Sequence, residues 1–265
     1  MIATVDIPFD DFSSFLRGPA LGPAKIREAF HSDSANYFTE NLVDLRNHPN
    51  VKELEPLKLP GGSAVTEAIE RELTKILSQY DKVLSLGGDH SVTYPIIKAF
   101  SKKYKDLTIL HIDAHPDLYD EFEGNKFSHA CPFARIMESG LATRLVQVGI
   151  RTMAKHQREQ ADKFGVEVIQ MKDFNTNLNL DFSGPVYVSL DIDAIDPAFA
   201  PGVSHHEPGG LTSREVLGIL QKLRPNVVGA DLVEFNPTRD PSGITAMLAA
   251  KLYKELLDLL LRSDQ

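Results

Sequence analysis

Short, predominantly apolar runs alternate with longer segments whose apolar residues recur at helical spacing, and the alternation repeats along most of the chain. Runs at residues 2–7, 83–86, 107–112, 144–148, 166–169, 186–190 and 227–230 predict strands. Most of them lack the polar alternation that a solvated face needs, which points to burial on both sides of a sheet. Val65, Ile69, Leu73 and Ile76-Leu77 recur as a helix packing one face would have them. Further helices are predicted through Ile26, Arg27 and Phe30 with Pro23 in the first turn, through Tyr94, Ile96-Ile97 and Phe100, and over residues 133–137, 157–164, 213–223 and 244–261. Residues 41–45 predict a second strand, and residues 51–62, with two prolines and two glycines, predict a loop. Strand and helix in turn predict a three-layer α/β/α architecture with a mostly parallel central sheet. A barrel of eight strand-helix units uses the same alternation. Uneven connections, and polar chemistry gathered behind only a few strands, favour an open sheet whose site lies outside the strands' carboxyl ends. No linker, low-complexity stretch or repeat interrupts the pattern, so residues 1–265 are expected to form one domain.

Composition adds exclusions. With 265 residues, 42% hydrophobic and 25% charged, the chain can bury a substantial α/β core. Its net charge of -9 and scattered basic residues leave no footprint for nucleic acid, while an acidic balance is compatible with a cationic substrate. Cys131 is the only cysteine, which excludes an intramolecular disulfide framework and a cysteine-rich metal site. The amino terminus lacks the layout of a signal peptide, and no stretch approaches the roughly 20 apolar residues of a membrane span. A cytosolic location is expected.

The polar chemistry sits behind three apolar runs. His111-Ile112-Asp113-Ala114-His115-Pro116-Asp117 places Asp113, His115 and Asp117 at alternate positions, where Pro116 ends the strand and turns the backbone. Three such groups within five residues repel or desolvate one another unless a positive charge sits between them. Ser189-Leu190-Asp191-Ile192-Asp193 supplies a second pair of carboxylates with no lysine or arginine nearby, and Asp196 before Pro197 reads as turn chemistry. His90 follows a third run within Gly87-Gly88-Asp89-His90-Ser91, where Asp89 or Ser91 would cap the next turn. Oxygen-and-imidazole ligands without sulfur suit manganese, and six are too many for one ion with an open position. Two ions sharing a carboxylate are expected.

These three stretches resemble the metal-binding signatures of the ureohydrolases, the arginase and agmatinase family. The segments at residues 123–129, 201–210 and 230–237 are most similar to plant-type arginases. The resemblance implies His90, Asp113, Asp117 and Asp191 on one Mn²⁺ and Asp113, His115, Asp191 and Asp193 on the other, two ions per subunit. It implies hydrolysis of a small cationic guanidino substrate by metal-activated hydroxide, releasing urea and an amine. Asp193 would relay a proton to the departing nitrogen, His129 would shuttle protons between site and solvent, and Glu234 would orient the guanidinium through paired hydrogen bonds. A homo-oligomer, trimer or hexamer, is implied as well.

For the substrate tail the resemblance points to Tyr119, Glu123, Asn125 and Ser128 in the loop between the aspartates and His129. Gly149-Ile150-Arg151-Thr152-Met153-Ala154 departs from the family, whose arginases carry an acidic or amide residue soon after the matching segment. L-arginine, giving urea and L-ornithine, ranks first as substrate, then agmatine, then a guanidinoalkanoate. A formiminoglutamase or a catalytically silent assembly protein would be the further alternatives. Glu207 and Asp240 read as loop acids, and one of His205 and His206 is expected to line the pocket.

Overall fold

A computed structural model of the chain describes residues 1–176, 178, 180–223 and 226–263. Its strands, β1 (Ile2–Ile7), β2 (Val51–Glu53), β3 (Lys82–Gly87), β4 (Thr108–Ile112), β5 (Arg144–Ile150), β6 (Glu167–Gln170), β7 (Pro185–Asp191) and β8 (Asn226–Val233), form one parallel sheet in the order β2-β1-β3-β8-β7-β4-β5-β6. Parallel neighbours need crossovers, and helices supply most of them. These are α1 (Gly22–Phe30), α2 (Ala64–Leu77), α3 (Thr93–Lys103), α4 (Pro132–Glu138), α5 (Lys155–Phe164), α6 (Ser213–Lys222) and α7 (Ile244–Arg262).

Every residue of β1, β3, β4 and β7 is buried, as a sheet covered on both faces requires. On one face Ile26, Phe30, Leu217, Leu220 and Leu256 pack α1, α6 and α7 against the sheet. On the other, Ile69, Leu73, Ile96, Phe100 and Phe133 do the same for α2, α3 and α4, with Ala161 of α5 beside them. The expected three-layer α/β/α fold is therefore present. With β2 and β6 as open edges, the sheet is not a barrel.

Two local expectations differ. Residues 41–45 form no strand: Leu42 has a positive φ of 63° and is exposed, and Asp44 makes only an isolated bridge to Phe38. The second strand is Val51–Glu53, inside the stretch expected to be loop, paired with Ile2, Ala3 and Thr4. The breakers that suggested a loop, Pro56, Pro60, Gly61 and Gly62, all lie beyond it, and so short an edge strand has no periodicity to read.

Strands β3 and β4 are consecutive in the chain, yet β8 and β7 lie between them in the sheet. The carboxyl ends of β3, β8, β7 and β4 thus stand side by side at its centre, where open α/β sheets bind ligands. Close backbone approach makes this crowding possible. A Cβ on Gly88 would lie 1.9 Å from the Phe9 carbonyl oxygen, so only glycine lets the loop after β1 cross the end of β3. No helix among the described residues is long and apolar enough to cross a membrane.

Candidate active site

Those four strand ends deliver the polar residues. His90 opens a 3-10 turn just beyond β3, Asp113, His115 and Asp117 follow β4, Asp191 closes β7 with Asp193 in the turn behind it, and Glu234 follows β8. All are buried except the half-buried His115.

A relay sets His90. Its Nε2–H donates to Ser189 Oγ at 3.0 Å, and the Ser189 hydroxyl donates to Asp231 Oδ1 at 2.7 Å. Asp231 is buried and accepts two further hydroxyls, from Thr93 and Tyr187. This tautomer leaves a lone pair on Nδ1. Carboxylate oxygens of Asp113 at 3.2 Å, Asp117 at 3.2 Å and Asp191 at 3.1 Å surround that nitrogen, which forms a hydrogen bond with none of them. Buried lone pairs facing one another are unfavourable without a cation between them. Burial, with the carboxylates of Asp193 and Asp113 alongside, pushes the Asp191 carboxyl well above its usual range. One divalent cation would satisfy all four side chains, so the residues fit a metal.

A second group adjoins the first. His115 Nδ1 lies 3.0 Å from Asp193 Oδ2 and 3.5 Å from Asp113 Oδ1, so Asp113 belongs to both groups. Two cations could be held, by oxygen and imidazole alone.

His111 is a residue the sequence reading left without a role. It is buried beside Asp113, with its Nε2–H donating to Asp113 Oδ2 at 2.7 Å and its Nδ1 accepting from Gln147 Nε2 at 3.0 Å. His111 lies within ligating distance of His90 and Asp113, but with both nitrogens engaged in hydrogen bonds it is placed to orient Asp113. Its position two residues before Asp113, on the same strand face, was the available signal.

Glu234 and His129 form the opposite wall. Glu234 adopts a positive φ of 65°, a costly backbone for a non-glycine residue. Its N–H donates to the Gly88 carbonyl at 2.8 Å. Its Oε1 accepts from the His90 N–H and from His129 Nδ1, each at 2.8 Å. The other ring nitrogen of His129 meets the Ser14 hydroxyl at 2.8 Å. Burial alone would lower the His129 pKa, but the Glu234 carboxylate outweighs it and the pKa rises to about 9. Asp89 secures the Ser14 loop by accepting from the Phe12 N–H at 3.1 Å and the Ser13 hydroxyl at 3.2 Å. No local pattern could have paired Ser14 with His129, which is 115 residues away.

A cavity of about 390 Å³ opens over these groups. Of the four loop residues expected to meet the substrate tail, only Tyr119 lines it. Asn125 Oδ1 accepts from the Phe127 N–H at 2.9 Å, Ser128 Oγ reaches the Phe12 carbonyl at 3.4 Å, and Glu123 occupies a turn at φ 51°. Nearby backbone takes up the short side chains of Asn125 and Ser128, and Glu123 is exposed, so none of the three lines the cavity. His205 does face it, its ring 5.5–5.7 Å from those of Phe15, His129 and His115. His206 turns away to the Pro201 carbonyl at 2.7 Å. Thr152, Met153, Ala154 and Gln157 close the far side, while Arg151 ties the Asp193 and Glu207 carbonyls together, at 2.7 Å each.

An open parallel sheet whose central strand ends gather aspartates and histidines is one of a known family's designs, and the chain belongs to it: the Arginase family profile matches residues 1–258. Within that family the chain is 48% identical to "Arginase 1, mitochondrial" of Arabidopsis thaliana, over 94% of this chain and 78% of that one. It is also 48% identical to "Arginase, mitochondrial" of Medicago truncatula, over 94% and 79%. The solved structure of the arginase from Medicago truncatula superposes with a TM-score of 0.91 at 43% identity, covering 98% of this chain and 87% of that one. These relatives overturn the expected cytosolic location, since both plant proteins are named mitochondrial. Composition and the residues at the amino terminus carried too little information to decide a compartment.

Proposed function

We propose that the chain hydrolyses L-arginine to urea and L-ornithine with two Mn²⁺ ions per subunit. His90, Asp113, Asp117 and Asp191 would hold one ion, and Asp113, His115, Asp191 and Asp193 the other. The observation that carries this reading is the convergence of those six side chains, four of which line one cavity with Glu234 while His90 and Asp113 lie against them. When bound, the ions supply Lewis-acid charge and lower the pKa of a water so that hydroxide is available near neutral pH. Everything else falls to the chain's own residues. Glu234, buried and held ionised by His129, faces the guanidinium and selects this planar, permanently charged group over a simple amine. Asp193 takes the proton released on attack and passes it to the departing nitrogen. His129, hydrogen-bonded to both Glu234 and Ser14, exchanges protons through the Ser14 hydroxyl instead of swinging into solvent. Tyr119 holds the substrate tail, and the subunits assemble as a trimer or hexamer.

The plant relatives' names support arginine. One observation supports a second substrate: Thr152, Met153 and Ala154 offer no acidic group to a substrate amine, which suits a guanidinoalkanoate. Urea release from L-arginine, agmatine and 4-guanidinobutyrate by Mn²⁺-loaded protein tests the assignment. The highest kcat/KM is expected for L-arginine, and no urea from any of the three would contradict it.

A further inference from the structure

We propose that His205 is a second acceptor for the substrate's guanidinium, taking an N–H beyond those that Glu234 accepts. The inference rests on the guanidino-hydrolase reading above and deepens it. It gives a role to the one cavity-lining imidazole that neither the metal groups nor the proton path uses.

Counting hydrogen bonds leads to it. A guanidinium on an alkyl chain carries five N–H donors, and burying a charged group with donors unpaired is costly. Glu234 Oε1 already accepts from the His90 N–H and from His129, so among the described residues Oε2 is the oxygen it has open. The other polar groups beside it are engaged. His115, Asp117, Asp191 and Asp193 belong to the proposed cations, and the Ser14 hydroxyl meets His129 at 2.8 Å. Thr152 and Gln157 lie on the far side of the cavity, and Tyr119 is given to the substrate tail.

His205 is both uncommitted and close. Half-buried in the cavity wall, it has no hydrogen-bond partner for either ring nitrogen among the described residues. Its ring centroid lies 5.6 Å from that of His129, which is itself bonded to Glu234, and 5.7 Å from that of His115. It therefore stands between the Glu234 wall and the metal groups, where the guanidinium has to sit. Beside a protonated His129 and a cationic substrate the ring is neutral, and a neutral imidazole offers one nitrogen lone pair. The backbone that carries it is fixed from the Glu234 side. Val203 bridges Phe235, and the Ser204 hydroxyl accepts from Asn236 Nδ2 at 2.9 Å and reaches the Leu16 carbonyl at 3.3 Å. The exposed Phe15 packs on the ring at 5.5 Å.

Two substitutions test this with the Mn²⁺-loaded enzyme. His205→Phe keeps an aromatic ring against Phe15 and removes both nitrogens; His205→Gln keeps an acceptor of similar reach. His205→Phe should lower kcat/KM for L-arginine about ten- to a hundredfold, and by the same factor for any other guanidino substrate the wild type cleaves, because the lost contact is to the group they share. His205→Gln should lose less. Calorimetric titration separates this from a packing defect. For His205→Phe the dissociation constant of guanidinium ion, the group alone, should rise by the same factor, while that of L-ornithine, which lacks the group, should stay at the wild-type value. A wild-type kcat/KM in His205→Phe, a His205→Gln no better than His205→Phe, or an L-ornithine affinity that falls as far as the guanidinium affinity would overturn the contact and leave the activity standing. No urea from the wild type with L-arginine, agmatine or 4-guanidinobutyrate would overturn the activity, and the contact with it.

Discussion

At His90 one ring is set from two strands that it does not belong to. Ser189 on β7 takes its Nε2–H, Asp231 on β8 takes the serine hydroxyl, and Nδ1 is left facing three carboxylates. Ser189→Ala should leave the fold intact and weaken Mn²⁺ binding about 10- to 100-fold, read by metal titration, because the ring loses its fixed tautomer and direction. Unchanged affinity would mean that the relay does not orient the ligand. His129 makes a second prediction at this scale. Its pKa rises from 6.5 to about 9 in the fold, so the stability it contributes is complete below about pH 6.5 and is lost as pH climbs through about 9. In metal-free protein the fall in unfolding free energy between pH 7 and pH 10 should include up to roughly 3 kcal/mol from this group. Glu234→Gln should shrink that fall, measured by denaturant titration at both pH values, and an unchanged fall would remove Glu234 as the cause.

Among the elements, glycine decides two outcomes of opposite sign. Gly88 lets the loop after β1 pass over the end of β3, and Gly88→Ala should cost about 3 kcal/mol, since the added carbon meets rigid backbone. Gly218, inside α6, has nothing within 4 Å of an added Cβ, so Gly218→Ala should gain about 0.5–1 kcal/mol. Melting curves of the two variants, moving apart from the wild type, check both. The same scale shows what a sequence can yield. Long apolar runs such as 186–190 and the helical spacing of Val65, Ile69 and Leu73 report burial directly, so the strands and helices around the site were legible. Edge strand Val51–Glu53 was not, because three residues on the rim of a sheet have neither length nor a buried face to reveal them. Within the site, the pairs two residues apart at a single strand end, Asp113 with His115 and Asp191 with Asp193, could be read in advance as candidate ligands. Ser14 and Asp89 could not, since their contacts exist only once distant segments meet. Asn125 and Ser128 were read as substrate contacts because a polar side chain in a loop looks the same whether it serves a ligand or neighbouring backbone.

Across the whole molecule the order β3-β8-β7-β4 is what turns three separate sequence signatures into one site. The last two strands to be made insert between the first two that bear ligands, so the cradle is complete only when the carboxyl-terminal third of the chain has joined the sheet. In the proposed function this cradle hydrolyses arginine through a pair of metal ions with Asp193 as the proton relay. The rate of urea release from L-arginine by Mn²⁺-loaded wild-type protein and by Asp193→Asn, with circular dichroism on both, tests it. Steady urea release by the wild type, and a loss of about a thousandfold in kcat for the variant at unchanged secondary structure, is the predicted result. A wild type that releases no urea, or a variant that keeps the wild-type rate, would contradict it.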